Sequence, residues 1–283
     1  MRYRRRYRGC MARGQPPGGG TVSHDAAGQG WDRRVAYGAG SRTDVAFPEA
    51  DEIHVWHVDL AALAAHGQQL RALLAPPELA ASERLRFEPD RLRFVTRRAV
   101  LRSLLGRYLG IAPERLRFRT NKRGKPDLDG APASSGIRFN ASHSGGLAVY
   151  AVSMHECIGV DVEAVRPIDN PLHIARCFFS PLEHKALSDI PAQSRSLAFL
   201  HCWTRKEAFV KALGCGLHHP LEDFDVSLTP GEPAALMRLG SDFDAGLRWS
   251  MISFAPGSSH VAAVVVAGAS CRLSLRPWNE SAP

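Results

Sequence analysis

Apolar residues along the chain switch between a period of two and a period near 3.6, and each switch marks a predicted element. Ile53-His54-Val55-Trp56-His57-Val58 alternates as a half-buried strand does. Residues 60–75, opened by Asp59, read as a helix, and a long basic helix follows over 90–109. Leu116–Arg119, Ile137–Asn140, Leu147–Ser153 and Ile158–Glu163 read as strands. Helices are expected over 171–188 and 194–213, then strands at Phe224–Leu228, Leu247–Phe254 and His260–Ala267. No run approaches the roughly 18 apolar residues of a membrane span.

The order of these elements repeats. Shifted by 108 positions, Thr96-Arg97-Arg98 lies over Thr204-Arg205-Lys206, Leu105-Gly106 over Leu213-Gly214, and Leu116-Arg117-Phe118 over Phe224-Asp225-Val226. In that register Glu207 lies over Ala99. The pattern predicts an α+β fold of two similar halves related by a pseudo-twofold duplication, residues 51–157 and 158–268. Each half carries a small antiparallel sheet with helices, and the natural ligand site is the cleft between them. Residues 1–50, rich in Gly and Arg and without apolar periodicity, are expected to be a disordered basic extension, and 269–283 a C-terminal tail.

Charge sharpens this picture by its location. The chain is formally +8. Residues 1–48 hold nine arginines against Asp25, Asp32 and Asp44, and residues 84–125 hold 14 Lys and Arg against Glu88, Asp90 and Glu114. A basic belt on an otherwise acidic body suits a polyanion, either nucleic acid or a phosphate-rich small molecule. No nucleic-acid recognition motif is present, and few aromatic residues interleave with the belt, so nucleic acid is not the expected partner. The six cysteines form no C-x-x-C pair and sit mostly among apolar residues. That pattern fits reduced thiols in a cytoplasmic protein rather than a zinc cluster or disulfide scaffold.

Three segments carry candidate chemistry. In Ile158-Gly159-Val160-Asp161-Val162-Glu163 the strand period places Asp161 and Glu163 on one face. Two carboxylates side by side need a positive neighbour, an Arg, a Lys or a hard divalent cation. In Trp203-Thr204-Arg205-Lys206-Glu207-Ala208-Phe209-Val210-Lys211, Glu207 and Lys211 share a helix face. Phe139-Asn140-Ala141-Ser142-His143-Ser144-Gly145-Gly146 reads as a tight loop whose backbone amides and His143 can face an anion. A metal-dependent phosphodiester hydrolase could use the same acids.

Taken together, G-K-P, F-N-x-S-H-S-G, G-V-D-V-E, F-F-S-P-x-E and W-T-x-K-E-A-x-x-K-x-x-G-x-G, in that order over residues 80–228, resemble the Sfp-type 4′-phosphopantetheinyl transferases. The resemblance implies transfer of the 4′-phosphopantetheine arm of coenzyme A to a serine of an acyl or peptidyl carrier protein, with release of adenosine 3′,5′-bisphosphate. It implies Mg2+ as cofactor, with Asp161, Glu163 and Glu207 resembling the metal ligands and Glu207 also a candidate base. Lys211 resembles the active-site lysine. Lys125, Ser142 and His143 resemble contacts to the nucleotide phosphates, as does Arg93 on the basic helix; Asp161 and Lys211 are expected at coenzyme A as well. A cytoplasmic monomer is expected, with neither nucleic acid nor membrane as partner. The carrier can belong to fatty-acid, polyketide or nonribosomal-peptide synthesis.

Overall fold

The computed structural model describes residues 35–37, 45–214, 219–240 and 248–278. In chain order these form β1 (Val35–Tyr37), β2 (Glu52–Asp59), α1 (Gly67–Ala72), α2 (Pro76–Glu83), α3 (Glu88–Leu109), β3 (Phe118–Thr120) and β4 (Pro126–Leu128). Then come β5 (Arg138–Ser144), β6 (Leu147–Ser153), β7 (Ile158–Ala164), α4 (Pro171–Phe178), α5 (Pro181–Asp189) and α6 (Ala192–Leu213). The series ends with β8 (Phe224–Val226), β9 (Leu236–Leu239), β10 (Trp249–Phe254), β11 (His260–Ala267) and β12 (Arg272–Pro277).

Two sheets organise the α+β fold. One runs β1-β12-β2-β6-β5 and the other β10-β11-β7, with β3–β4 and β8–β9 as separate hairpins. Strand alternation divides the apolar residues among three cores. Trp56, Val58, Ala148, Tyr150 and Val152 face α1–α3, where they meet Leu70, Val95, Leu101, Leu104 and Leu105. Ile53, Val55, Val149 and Ala151 point the other way and meet Ile158, Val160, Val162, Val264 and Val266 of the second sheet. The outer face of that second sheet, through Val261, Ala263 and Val265, packs on Phe199, Ala208 and Phe209 of α6. The layers therefore run helix, sheet, sheet, helix. Gly159 sets the last spacing, because a Cβ there would collide with the Ala208 carbonyl and the Ala212 amide.

Several expectations change. The helix expected over 60–75 is a turn, a short 3-10 segment (Ala64–His66) and α1. Its start is tied down locally: Ala61 N donates to Asp59 Oδ1 at 2.9 Å and Leu60 N to Gly146 O at 2.8 Å. The helix expected over 171–188 breaks at Ser180-Pro181, where Pro181 has no amide to donate and Ser180 Oγ accepts from Glu183 N at 3.2 Å to start α5. Residues 139–146 are not a loop: β5 runs through Ser144, and only Gly145 and Gly146 turn. The C-terminal segment read as a tail forms β12, parallel to β2 with Leu273 opposite Ile53. Within the expected extension, Val35–Tyr37 pair with β12 as β1, while 1–34 and 38–44 lie outside the described residues.

The two helical layers are fastened in the same way. α3 and α6 each span 22 residues and end at a left-handed glycine, Gly110 (φ 63°) and Gly214 (φ 65°). In the first, Glu78 near the start of α2 accepts from Arg98 and, at 2.5 Å, from Arg102 Nε. Arg102 Nη1 also donates to Pro113 O and Leu116 O. In the second, Glu183 at the same place in α5 pairs with Lys206 Nζ at 2.8 Å, and that ammonium donates to Leu221 O and Phe224 O. Helix ends and cations thus correspond at an offset of 104, while the receiving turn and strand keep the offset of 108. Four extra residues between Gly214 and Leu221 account for the difference. At the helical offset of 104 Glu207 lies over Ser103, whereas at 108 it lies over Ala99.

Candidate active site

β7 has a ladder partner on one side only. β11 pairs with it from Ala164 to Ile158, and the other edge faces β5 without a continuous ladder. Backbone groups on such an edge need partners, and here side chains supply them. Val160 N donates to Asn140 Oδ1 at 2.9 Å and Ala164 N to Ser144 Oγ at 3.2 Å. The carbonyls of the same edge receive lysines: Lys125 Nζ donates to Ile158 O at 2.8 Å and Lys211 Nζ to Val160 O at 3.0 Å. Asn140, Ser142 and Ser144 share one face of β5, so one alternation of F-N-A-S-H-S stitches the two sheets together.

The carboxylates sit along this seam. Asp161, 5% exposed, accepts at Oδ1 from Ser142 Oγ (2.7 Å) and from Lys211 Nζ (2.6 Å). Ser142 Oγ in turn lies 2.9 Å from Lys211 Nζ, closing a triangle of ammonium, hydroxyl and carboxylate. Glu163, one alternation on, accepts from Ser144 Oγ at 2.5 Å. Glu207, also 5% exposed, comes from α6, which the Gly159 contact presses onto β7. Asp161 Oδ2 is buried and accepts no hydrogen bond. Oxygen atoms of this kind fit a hard cation. Among the described residues, however, no three His, Cys, Asp or Glu side chains form a metal-holding cluster on their own.

The expected site residues fall into two groups. Ser142, Asp161 and Lys211 are brought together directly. His143, next along β5 and on its opposite face, accepts from Arg97 Nη1, a neighbour on α3 that sequence reasoning did not single out. Lys125 reaches the site from the β3–β4 turn, but its ammonium is engaged by backbone carbonyls, Ile158 O and Lys211 O. Burial lowers its pKa, with Arg138 and Lys211 adding to the effect and Cys157 and Asp127 opposing it. Arg93 is 55% exposed and 3.7 Å from Asp90, a turn before Arg97 on the same helix. Asn140, Ser144, Lys206 and Glu183 were missed as working residues, although the alternation of Asn140, Ser142 and Ser144 was visible. His219 stands 4.0 Å from Asp223; His218 lies outside the described residues.

Comparison with known proteins places this arrangement. The family described as "4'-phosphopantetheinyl transferase superfamily" matches residues 157–265, and the one described as "4'-phosphopantetheinyl transferase, N-terminal" matches residues 63–155. The 4'-phosphopantetheinyl transferase HetI of Nostoc sp. is 40% identical over 219 residues, 77% of this chain and 89% of that protein. The 4'-phosphopantetheinyl transferase Sfp of Bacillus subtilis is 31% identical over 161 residues, 57% of this chain and 69% of that one. Among solved structures, a Chronobacterium ammoniagenes ACPS-CoA complex aligns over 39% of this chain and 95% of that one at 18% identity, with a TM-score of 0.29, too loose to carry a structural conclusion. The chain belongs to the 4′-phosphopantetheinyl transferases, enzymes that move phosphopantetheine from coenzyme A to carrier proteins.

Proposed function

We propose that the seam between β5 and β7 is where coenzyme A and the carrier serine meet, with Asp161, Glu163 and Glu207 holding a magnesium ion. The observation that carries this reading is Asp161 Oδ2, a buried oxygen that accepts no hydrogen bond, on the carboxylate whose other oxygen holds the Lys211 ammonium. Magnesium is commonly held by one or two carboxylates together with substrate phosphates and water. A carboxylate set that does not close by itself is therefore compatible with it. When bound, the ion would supply charge stabilisation on the transferring and leaving oxygens.

The chain's own groups do the rest. Lys211 and Ser142 present an ammonium and a hydroxyl to a phosphate, and His143 on β5 with Arg97 of α3 beside it offers further donors. Glu207 takes the proton of the carrier serine, directly or through a water, as that hydroxyl attacks phosphorus. Arg93, one helical turn before Arg97, belongs to the basic belt that draws the nucleotide in.

The fold is read as a duplication. Support comes from strand orders β5-β6-β2 and β10-β11-β7, from helices of equal length ending at left-handed glycines, and from the matched Glu–cation fastenings. The ligand cleft in this reading lies between the halves, along the seam. The described cysteines, free thiols at 157, 177, 202 and 271, suit a cytoplasmic setting.

The test is intact-mass analysis of apo-carriers from fatty-acid, polyketide and nonribosomal-peptide systems incubated with the protein and coenzyme A, with magnesium or with chelator. The expected result is a gain of one phosphopantetheine on at least one carrier, lost on chelation and restored by magnesium. Full transfer in chelator would remove the metal from the reading, and no gain on any carrier would remove the transfer.

A further inference from the structure

We infer that the β3–β4 turn is a positioning device for Lys211, with Lys125 and Asn121 capping the end of α6 rather than contacting coenzyme A. The inference rests on the proposed placement of Lys211 at the substrate phosphates.

A helix leaves its last carbonyls without intrahelical donors, and positive groups are favoured at that end. At the end of α6 the partners come from a segment 86 to 93 residues earlier in the chain. Lys125 Nζ donates to Lys211 O at 2.8 Å, and Asn121 Nδ2 donates to Gly214 O at 3.1 Å. Gly214 lies close to both side chains, so the αL turn that ends the helix is the surface they grip.

The turn is built to hold these two residues in place. Asn121 Oδ1 accepts from Arg123 N at 2.9 Å and from Lys125 N at 3.0 Å, Asn121 N donates to Lys125 O at 3.0 Å, and Gly124 takes φ 87° to close the loop. Asn121 thus organises the turn with its carbonyl oxygen and caps the helix with its amide nitrogen.

Lys125 Nζ makes a second bond, to Ile158 O at 2.8 Å, where the D-V-E strand begins. One ammonium therefore spans the backbone of Lys211 and the start of β7. The side chain of Lys211 returns over that gap to Val160 O and Asp161 Oδ1. Lys125 fixes the backbone of Lys211 relative to the strand that its own ammonium must meet. A shift of about 1 Å in a positioned group can cost on the order of a hundredfold in rate, so the cap is expected to act on turnover. A phosphate contact would instead act on coenzyme A binding.

The experiment compares the full-length protein with Lys125→Met, Lys125→Arg, Asn121→Ala and Lys211→Ala. It measures coenzyme A affinity by calorimetry and kcat at saturating coenzyme A by carrier mass shift. Lys125→Met is expected to keep the coenzyme A Kd within about threefold while kcat falls about tenfold to a hundredfold. Asn121→Ala, which changes no charge, should lower kcat in the same way by about threefold to tenfold. Lys125→Arg should recover part of the loss, because a charged donor to the carbonyls remains. A coenzyme A Kd weakened tenfold or more with kcat preserved would overturn the inference and give Lys125 to the phosphates. Unchanged kcat in both cap variants would overturn it too. If melting curves show Lys125→Met unfolded, Asn121→Ala decides by the same two outcomes. Lys211→Ala separates the levels: undiminished turnover there removes the placement of Lys211 and the inference with it, while lost turnover there with intact cap variants removes the inference alone.

Discussion

The α2–α3 and α5–α6 layers solve one packing problem with different residues. Each carries a glutamate at the third position of its short helix and a cation on its long one, aimed at two carbonyls of the following turn. The first layer spends two arginines on Glu78, and both guanidiniums lie over the Phe118 ring. The second uses Lys206 alone, fully buried, over Phe224. Both glutamates also accept from the residue before their helix, Ala75 N and Ser180 N, and Glu183 compensates by accepting from Val226 N as well. One geometry thus tolerates different cations, provided that every lone pair and proton finds a partner. Where the layers part is one residue beyond the fastening cation and onward. α6 carries Glu207 and Lys211 where α3, at the offset of 104, carries Ser103 and Arg107, so only the second layer brings a carboxylate and a lysine to these positions.

The sharpest way to break the comparison is Lys206→Met. It leaves Glu183 buried without its cation, and loss of one partner of a buried pair costs about 3–5 kcal/mol. Urea unfolding should register that loss, whereas a change below about 1 kcal/mol would mean the second fastening carries little. Next is Glu207→Gln, which keeps size and fold but removes the charge. Turnover should fall by about two to three orders of magnitude with the melting temperature held, and the magnesium dependence should weaken. An unchanged rate across a magnesium titration would return Glu207 to a structural role. Arg102→Met should cost less stability than Lys206→Met, about 1.5–3 kcal/mol, because Arg98 still holds Glu78. Equal losses would erase the difference between the layers.

Acid separates them further. His201 on α6 is 6% exposed, and burial pushes its pKa down to about 3, with Arg205 nearby adding to the effect. The unfolded chain takes up that proton below about pH 6.5 and the folded one does not, so stability falls as pH drops from there, by about 2 kcal/mol at pH 5. His201→Phe should flatten the unfolding free energy between pH 7 and 5. A variant that keeps the wild-type slope would place the effect elsewhere. In the first layer, burial would raise the Glu78 carboxyl, but Arg98 and Arg102 outweigh it and hold it below the ordinary range. Its contribution is present above the unfolded value and is lost only as pH falls through the depressed one. The two layers should therefore weaken in different pH windows.

Much of this was legible in the chain. Strict alternation in Ile53–Val58 and Ile158–Glu163 gave strands with one face in the inter-sheet core, and the side on which Asp161 and Glu163 emerge followed from period alone. Helix interruptions were less visible: the apolar spacing continues across Phe179-Ser180-Pro181, and only the proline and the cap mark the break. β12 escaped because Arg272–Pro277 finds its partners more than 200 residues away, beyond any local signal. Lys125 carried the right charge for a phosphate. That the structure gives it two carbonyl acceptors could not be read from its neighbours in sequence, since Ile158 lies on β7 and Lys211 on α6.

β12 also bears on how the protein is made. It lies between β1 and β2, so two strands made before residue 60 are joined only by residues 272–277. A chain emerging from the ribosome can assemble β2, β5 and β6 early, but that sheet's flank stays open until residues 272–277 have been synthesised. Non-local pairing of this sort slows folding and leaves a strand edge available to other chains in the interval. β2, translated more than 200 residues before β12, thus waits for that strand to complete its pairing.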